Sequence, residues 1–231
     1  MILTSHQPDF LPYMGVVYKA AMCDTLVFSD DVLYSKKGMH NWNRIKAPGA
    51  AQRLTIPVHA HHNLRLCEVT VSDVRRSLTM AIKTIDQNYR KAPHYDEGAS
   101  ILSEIIRLSE RQRLDMTELN LSLTLPILER FGIRPTVLVA SEDLHLAGQK
   151  DERIFQMCEE LGADTYISGT GAADYHRPEE FQLRGIDLIY SEYRPPVYPQ
   201  LHGPFIGNLS MIDYIFNCGY TLPEEWRRDN G

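Results

Sequence analysis

Three stretches of this chain combine residue types that chemistry needs. The first is His6-Gln7-Pro8-Asp9-Phe10-Leu11-Pro12-Tyr13-Met14-Gly15. Its prolines stiffen the backbone, and Gly15 opens the start of a following helix to close approach. Unpaired N–H groups and a positive dipole end suit an anion there, and His6 could add a proton donor. A His and a Gln at the end of a first strand are costly to bury without a partner. The plainer use of the same residues is a stiff turn that packs Phe10 and Tyr13 into the core.

The second stretch is Asp30-Asp31, followed by Tyr34, Lys36, Lys37, Asn41, Asn43, Arg44 and Lys46. Adjacent carboxylates after a strand could hold Mg²⁺ or orient an amine. A turn cap with an ion pair to Lys36 or Arg44 accounts for them more simply, so no metal ligand set is assigned. The Lys/Asn/Arg series is the more specific feature, because Arg forks and Lys point charges recognise phosphate or carboxylate.

The third is Ser168-Gly169-Thr170-Gly171. A glycine-rich turn after a strand presents backbone N–H groups to an anion, with two hydroxyls beside them. It is neither a phosphate-binding Walker loop nor a full dinucleotide fingerprint. Tyr175 and His176 just beyond either line the same pocket or pack. His59, His61 and His62 read as a polar hairpin tip rather than a zinc site, since alternation sends His62 to the opposite face. No Gly-x-Ser-x-Gly and no recognisable cysteine signature is present, so no local motif supports covalent catalysis.

These residues need elements to position them. Ile2-Leu3-Thr4 reads as a strand, 13–23 as a helix and Thr25-Leu26-Val27-Phe28 as a second strand. Two parallel strands joined by a helix put the loops after Thr4 and Phe28 on one sheet edge, where open α/β sheets bind ligands. Residues 54–58 and 66–71 read as a hairpin, with Pro57 at an edge. Helices are expected over 74–90, 100–111 and 116–131. Strands over 136–140, 164–168 and 186–190, with a helix at 152–161, resume the α/β alternation. The expectation is one α/β domain spanning 1–231: a Rossmann-like, mostly parallel sheet, a small β-hairpin, and a helical middle layer or insertion at about 74–131.

The composition agrees with a globular chain: 231 residues, 43% hydrophobic, 24 Lys+Arg against 30 Asp+Glu. That excludes disordered, collagen-like and coiled-coil classes. No apolar stretch approaches the ~18 residues of a membrane span, and no secretory leader pattern opens the chain, so a cytoplasmic protein without membrane insertion is expected. Cys23, Cys67, Cys158 and Cys218 stand apart, without a zinc-ribbon or disulfide pattern. The charge is bipolar: from Val32 to Cys67 there are six Lys/Arg and no acid, which leaves a net −12 elsewhere. One anion-attracting face on an acidic protein follows.

The runs HQPDFLPYMG, FSDDVLYSKKGMHNWNRIK, LTIPV, YRKAPHY, LGADTYISGTGAADY and LSMIDYIFNCG resemble the WbqC-like protein family, in order and from Ile2 to about Gly219. The resemblance implies work on surface polysaccharide, with nucleic-acid modification as a second association. It puts weight on His6, Gln7, Pro8, Asp30, Asp31, Tyr34, Lys36, Asn41, Arg44, Lys91, Pro93, Ser168 and Gly169. Tyr13, where many relatives carry Trp, and Met39-His40 depart from the pattern.

The residues and the resemblance together suggest a transferase acting on a phosphorylated or nucleotide-linked small molecule, with an amino acid joined through its amine to an activated sugar or base. His6, Asp30 and Asp31 are the expected proton-transfer and orienting groups. Gln7, Tyr34, Lys36, Asn41, Asn43, Arg44, Lys91 and the turn Ser168, Gly169, Thr170, Gly171 are the expected substrate contacts. Mg²⁺ is the one cofactor the carboxylates suggest, and modified nucleic acid is a second class of partner. Two rivals remain: an adenylyltransferase-like enzyme, whose paired-histidine motif is missing here, and a non-catalytic sugar-nucleotide-binding or scaffold protein.

Overall fold

A computed structural model describes residues 1–223 and Trp226. Strand β1 (Ile2–His6) leads through helix α1 (Met14–Met22) to β2 (Thr25–Phe28). Two antiparallel pairs follow: β3 (Trp42–Ala47) with β4 (Ala50–Thr55), and β5 (Val58–His59) with β6 (Thr70–Val71). Helices α2 (Val74–Tyr89), α3 (Tyr95–Ser109) and α4 (Met116–Arg130) precede β7 (Thr136–Val139) and the single turn α5 (Ala140–Asp143). Then come α6 (Asp151–Leu161), β8 (Thr165–Ser168), α7 (Pro178–Leu183), β9 (Asp187–Tyr190) and α8 (Met211–Cys218).

The main sheet is parallel throughout, in the order β7-β2-β1-β8-β9. The chain runs outward from β1 to β2 and β7, then crosses back to β8 on the other side of β1. Strand order therefore reverses between β1 and β8, and in such sheets the crevice outside the strand ends at that point is the ligand site. His6 ends β1 and Ser168 ends β8.

The fold is the Rossmann-like α/β arrangement with a helical middle and a hairpin. Two local expectations are corrected. The main hairpin is β3–β4, turning at Pro48-Gly49, where Gly49 has φ +83°. The basic segment is thus largely strand, and the expected pairing of 54–58 with 66–71 is reduced to β5–β6. Helix α3 begins at Tyr95 rather than near 100, because Asp96 and Glu97 favour its first turn.

Leu26 and Phe28 of the sheet share one core with Leu78, Ile105, Leu119 and Ile215 of the helical layer. A smaller core joins Leu3, Val27 and Tyr166 to Phe155 and Cys158 of α6. Within the larger core the Asp213 carboxylate accepts from Tyr89 (2.7 Å), Tyr198 (2.9 Å) and Gln200 (2.8 Å). Burial nevertheless raises its pKa. Lys46, one of the basic series, is buried in the same network: its ammonium donates to Gln200 (3.1 Å) and to the Pro204 carbonyl. It is a structural cation. Among the described residues no helix is long and apolar enough to cross a membrane.

Candidate active site

A cleft of about 600 Å³ opens at the reversal point between β1 and β8. Its floor and walls come from the ends of those strands, the loop after β1, residues 37–40 and the start of α6. The two loops meet because β1 and β2 are neighbours in register, with Ser29 N–H donating to the His6 carbonyl at 2.9 Å.

The proline loop is held from below by amide side chains. Asn43 Nδ2 donates to the carbonyls of Phe10 (3.2 Å) and Leu11 (2.7 Å), and Ser210 Oγ donates to Leu11 (2.7 Å). These bonds over-determine Leu11, whose φ of +45° is strained for a leucine. Asn120 clamps the carbonyls of Pro8 (3.0 Å) and His40 (2.9 Å), which ties the proline loop to the basic segment. Gly15 does not open the helix to a ligand. The Tyr13 ring fills the space its side chain would take.

His6 is engaged at both ring nitrogens. Nε2–H donates to Asp9 at 3.0 Å, and Nδ1 accepts from Lys19 Nζ at 3.4 Å. Lys19 also donates to the Ser5 carbonyl at 3.0 Å and is 5% exposed. Burial lowers its pKa to about 8, with the Cys23 and Asp9 charges working against that shift. The carboxylate serving His6 is therefore Asp9, three residues on in the same loop, and not Asp30. His40 stands beside Asp9 at 3.7 Å, and burial lowers its pKa. Its Nε2 and the Arg153 Nε are buried polar atoms without a hydrogen-bond partner.

Asp30 faces away from the cleft. It is 1% exposed and accepts from Ser141 N (2.9 Å), Ser141 Oγ (2.6 Å) and Thr117 Oγ1 (3.1 Å), which pins β2 to α4 and α5. Asp31 pairs with Arg153. The two carboxylates are thus committed to different partners. Among the described residues no group of three or more His, Cys, Asp or Glu is placed to hold a metal.

The other expected contacts divide. Gln7, Ser168, Gly169 and Gly171 line the cleft, and of the adjacent pair Lys36 and Lys37 it is Lys37 that reaches it. Asn41 is buried, donating to the Ile56 carbonyl (2.8 Å) and accepting from Tyr34 OH (3.2 Å), so both serve the hairpin. Arg44 reaches the Asn208 carbonyl at 3.2 Å, outside the cleft. Lys91 is exposed after α2 and Thr170 is exposed at the turn, and neither lines the cleft.

Besides Asp9 and Lys19, three further groups in or behind the cleft were not singled out from sequence as reacting groups. Lys150 precedes α6 with φ +53°, a strained value for a lysine, and lines the wall. The adjacent Asp151, 1% exposed, accepts from His176 Nδ1 at 2.6 Å and from Arg177 N–H at 2.9 Å. His176 Nε2 in turn lies 2.8 Å from Ser168 Oγ. The only sequence-level hint was His176 following the glycine-rich turn. Asp151 reads as an ordinary acidic first-turn residue of a helix.

The sequence pattern of the WbqC-like protein family matches residues 7–224, beginning one position after His6. An uncharacterized protein of Mycobacterium tuberculosis is 31% identical over 228 residues, covering 96% of this chain and 95% of that protein. No solved structure matches the chain.

Proposed function

We propose that this chain, which belongs to the WbqC-like protein family, is a transferase that binds a phosphorylated or nucleotide-linked small molecule in the β1/β8 cleft. The observation that carries this reading is the charge of that cleft. Lys19, Lys37 and Lys150 line it, Arg153 is neutralised by Asp31, and Asp9, which accepts from His6, is the one carboxylate among the described lining residues. A concave, partly desolvated site with excess positive charge at the switch point of a parallel sheet selects anions and holds them by charge-assisted contacts.

The chemistry that fits is group transfer in which an amine, such as that of an amino acid, is one of the partners joined and the other is an activated sugar or base. Lys19 is the proton-transfer group best placed for it. An ammonium with a pKa of about 8 gives up its proton near neutral pH, where an ordinary lysine does not. His6 and Asp9 hold Lys19 in place through one chain of hydrogen bonds. Positioning and charge neutralisation then supply the rest of the barrier reduction. Surface polysaccharide, whose sugars travel on nucleoside diphosphates, is the setting this reading fits.

Calorimetric titration with nucleoside diphosphates, diphosphate-linked sugars and inorganic pyrophosphate tests it, followed by mass spectrometry of mixtures with free amino acids. Micromolar to millimolar binding that is weakened in Lys37→Ala and Lys150→Ala, together with a joined product, is expected. Release of pyrophosphate from a nucleoside triphosphate would instead indicate adenylyl transfer. Binding without any turnover would indicate a carrier or scaffold, and no binding of any phosphate compound would end the reading.

A further inference from the structure

Ser168, His176 and Asp151 lie in one line of hydrogen bonds at the cleft, and the polarity of that line is directional. The Asp151 carboxylate is acceptor-only when ionised, so the 2.6 Å contact makes His176 Nδ1 the donor. Nε2 is then the bare nitrogen, and at 2.8 Å it can accept the Ser168 hydroxyl proton. The far end of the line is anchored as well. Asp151 takes a second bond from Arg177 N–H, and it occupies the first turn of α6, where the helix dipole favours its charge.

We propose that Ser168 is a nucleophile, activated by His176 as general base with Asp151 as its positioning residue, and that the chain carries out acyl transfer from an activated ester or thioester through an acyl-serine. A nucleophile, a base within hydrogen-bond reach and a third group orienting the base form the general signature of covalent catalysis, and geometry rather than chain order defines it. Ser168 and His176 both line the cleft, whereas a relay that merely tied the Thr170–Tyr175 turn to α6 has no need to. Beyond Ser168 the floor is bare backbone: a side chain added at Gly169 or Gly171 would meet nothing within 4 Å, which leaves room for an acyl group beside the hydroxyl.

The reaction balances without a redox partner. Ser168 Oγ attacks the acyl carbonyl and its proton passes to His176 Nε2. The bond from the acyl carbon to the leaving oxygen or sulfur breaks, and His176 gives the proton to that leaving atom. An amine then attacks the acyl-serine, its N–H proton goes to His176, and Ser168 recovers its hydrogen as the amide leaves. Water in place of the amine gives the free acid. The inference goes beyond the anion-binding transferase reading and rests on it only for the acceptor, the amine that reading brings to the same cleft. Acylation of Ser168 stands without it.

The test uses the full chain and an uncharged alkyl fluorophosphonate, read by intact mass and peptide mapping, so it is independent of phosphate recognition. One adduct per chain, mapped to Ser168 and absent in Ser168→Ala, is expected. Asp151→Asn presents the wrong tautomer to Ser168 and is expected to slow labelling at least ~10²-fold, with a thermal midpoint within a few degrees of wild type. His176→Ala is expected to abolish the pH-dependent limb of the labelling rate. An unlabelled wild type, an adduct elsewhere, or equal labelling rates in all three variants would overturn the proposal. In that case a lowered midpoint in His176→Ala would identify the relay as a structural tie.

Discussion

Lys19 places its Nζ 3.4 Å from Nδ1 of His6, inside α1 and on the wall of the cleft. The Asp9 carboxylate is acceptor-only when ionised, so its 3.0 Å contact fixes a His6 proton on Nε2 and leaves Nδ1 to accept from the Lys19 ammonium. Proton-transfer capacity in this corner therefore ends on the lysine rather than on the imidazole.

The same burial makes Lys19 a reporter of folding. Its pKa is about 8 in the folded protein against 10.5 when solvated. Between those values the unfolded chain holds a proton that the folded one has lost, so stability rises with pH through that window. Below pH 8 the cost of burying the ammonium is present in full. The stability of wild type minus that of Lys19→Met is expected to increase by about 3 kcal/mol from pH 8 to 10.5, measured by urea unfolding. A flat difference would mean that Lys19 is solvated.

His6→Gln tests whether the imidazole is needed to hold Lys19 and Asp9 in one hydrogen-bonded chain. An amide can replace the bond to Asp9 or the one from Lys19, but not both with the same reach. Turnover is expected to fall ~10²-fold or more in His6→Ala with substrate affinity nearly intact, and Gln is expected to restore little of it. Full activity in Gln with an unchanged pH profile would leave His6 with no part in positioning Lys19.

Asp30→Ala is expected to destabilise the fold rather than disable the cleft. It leaves the Ser141 N–H, the Ser141 hydroxyl and the Thr117 hydroxyl without their acceptor behind β2. Loss of about 3 kcal/mol in chemical denaturation is expected, with ligand affinity per folded molecule unchanged. Weakened binding at unchanged stability would return Asp30 to the site.

The elements that position the cleft were legible because each is announced locally. The apolar run, proline-rich loop, helix and apolar run of 2–28 force a right-handed parallel crossover, which brings the loop after His6 beside the loop after Phe28. What sequence could not resolve is which of two like residues faces the cleft. Asp30 against Asp9, and Lys36 against Lys37, differ by loop geometry that depends on Asn43 and Asn120 reaching from β3 and α4. Local pattern reading attached the carboxylates to their nearest lysines. The Ser168, His176 and Asp151 line was invisible for another reason: Asp151 sits across a strand and a turn, and only the packing of α6 on β8 closes the gap.

Three lysines and one arginine, from the basic segment and the residue before α6, give the sharpest test of where an anion binds. Lys37 and Lys150 line the cleft, whereas Lys36 is exposed away from it and Arg44 is turned to the Asn208 carbonyl. All four are reachable by solvent to some degree, so none is expected to matter much to folding. If the cleft is the anion site, Lys37→Ala and Lys150→Ala each weaken pyrophosphate binding by roughly tenfold, in keeping with a lost charge-assisted contact of ~1.5 kcal/mol. Lys36→Ala and Arg44→Ala are expected to change it less than twofold at physiological salt, since exposed charges act there mainly through a screened field. Isothermal titration of the four variants decides the matter. The opposite pattern, with Lys36 and Arg44 costing affinity and Lys37 and Lys150 silent, would move the anion to the β3–β4 face and leave the cleft without its substrate.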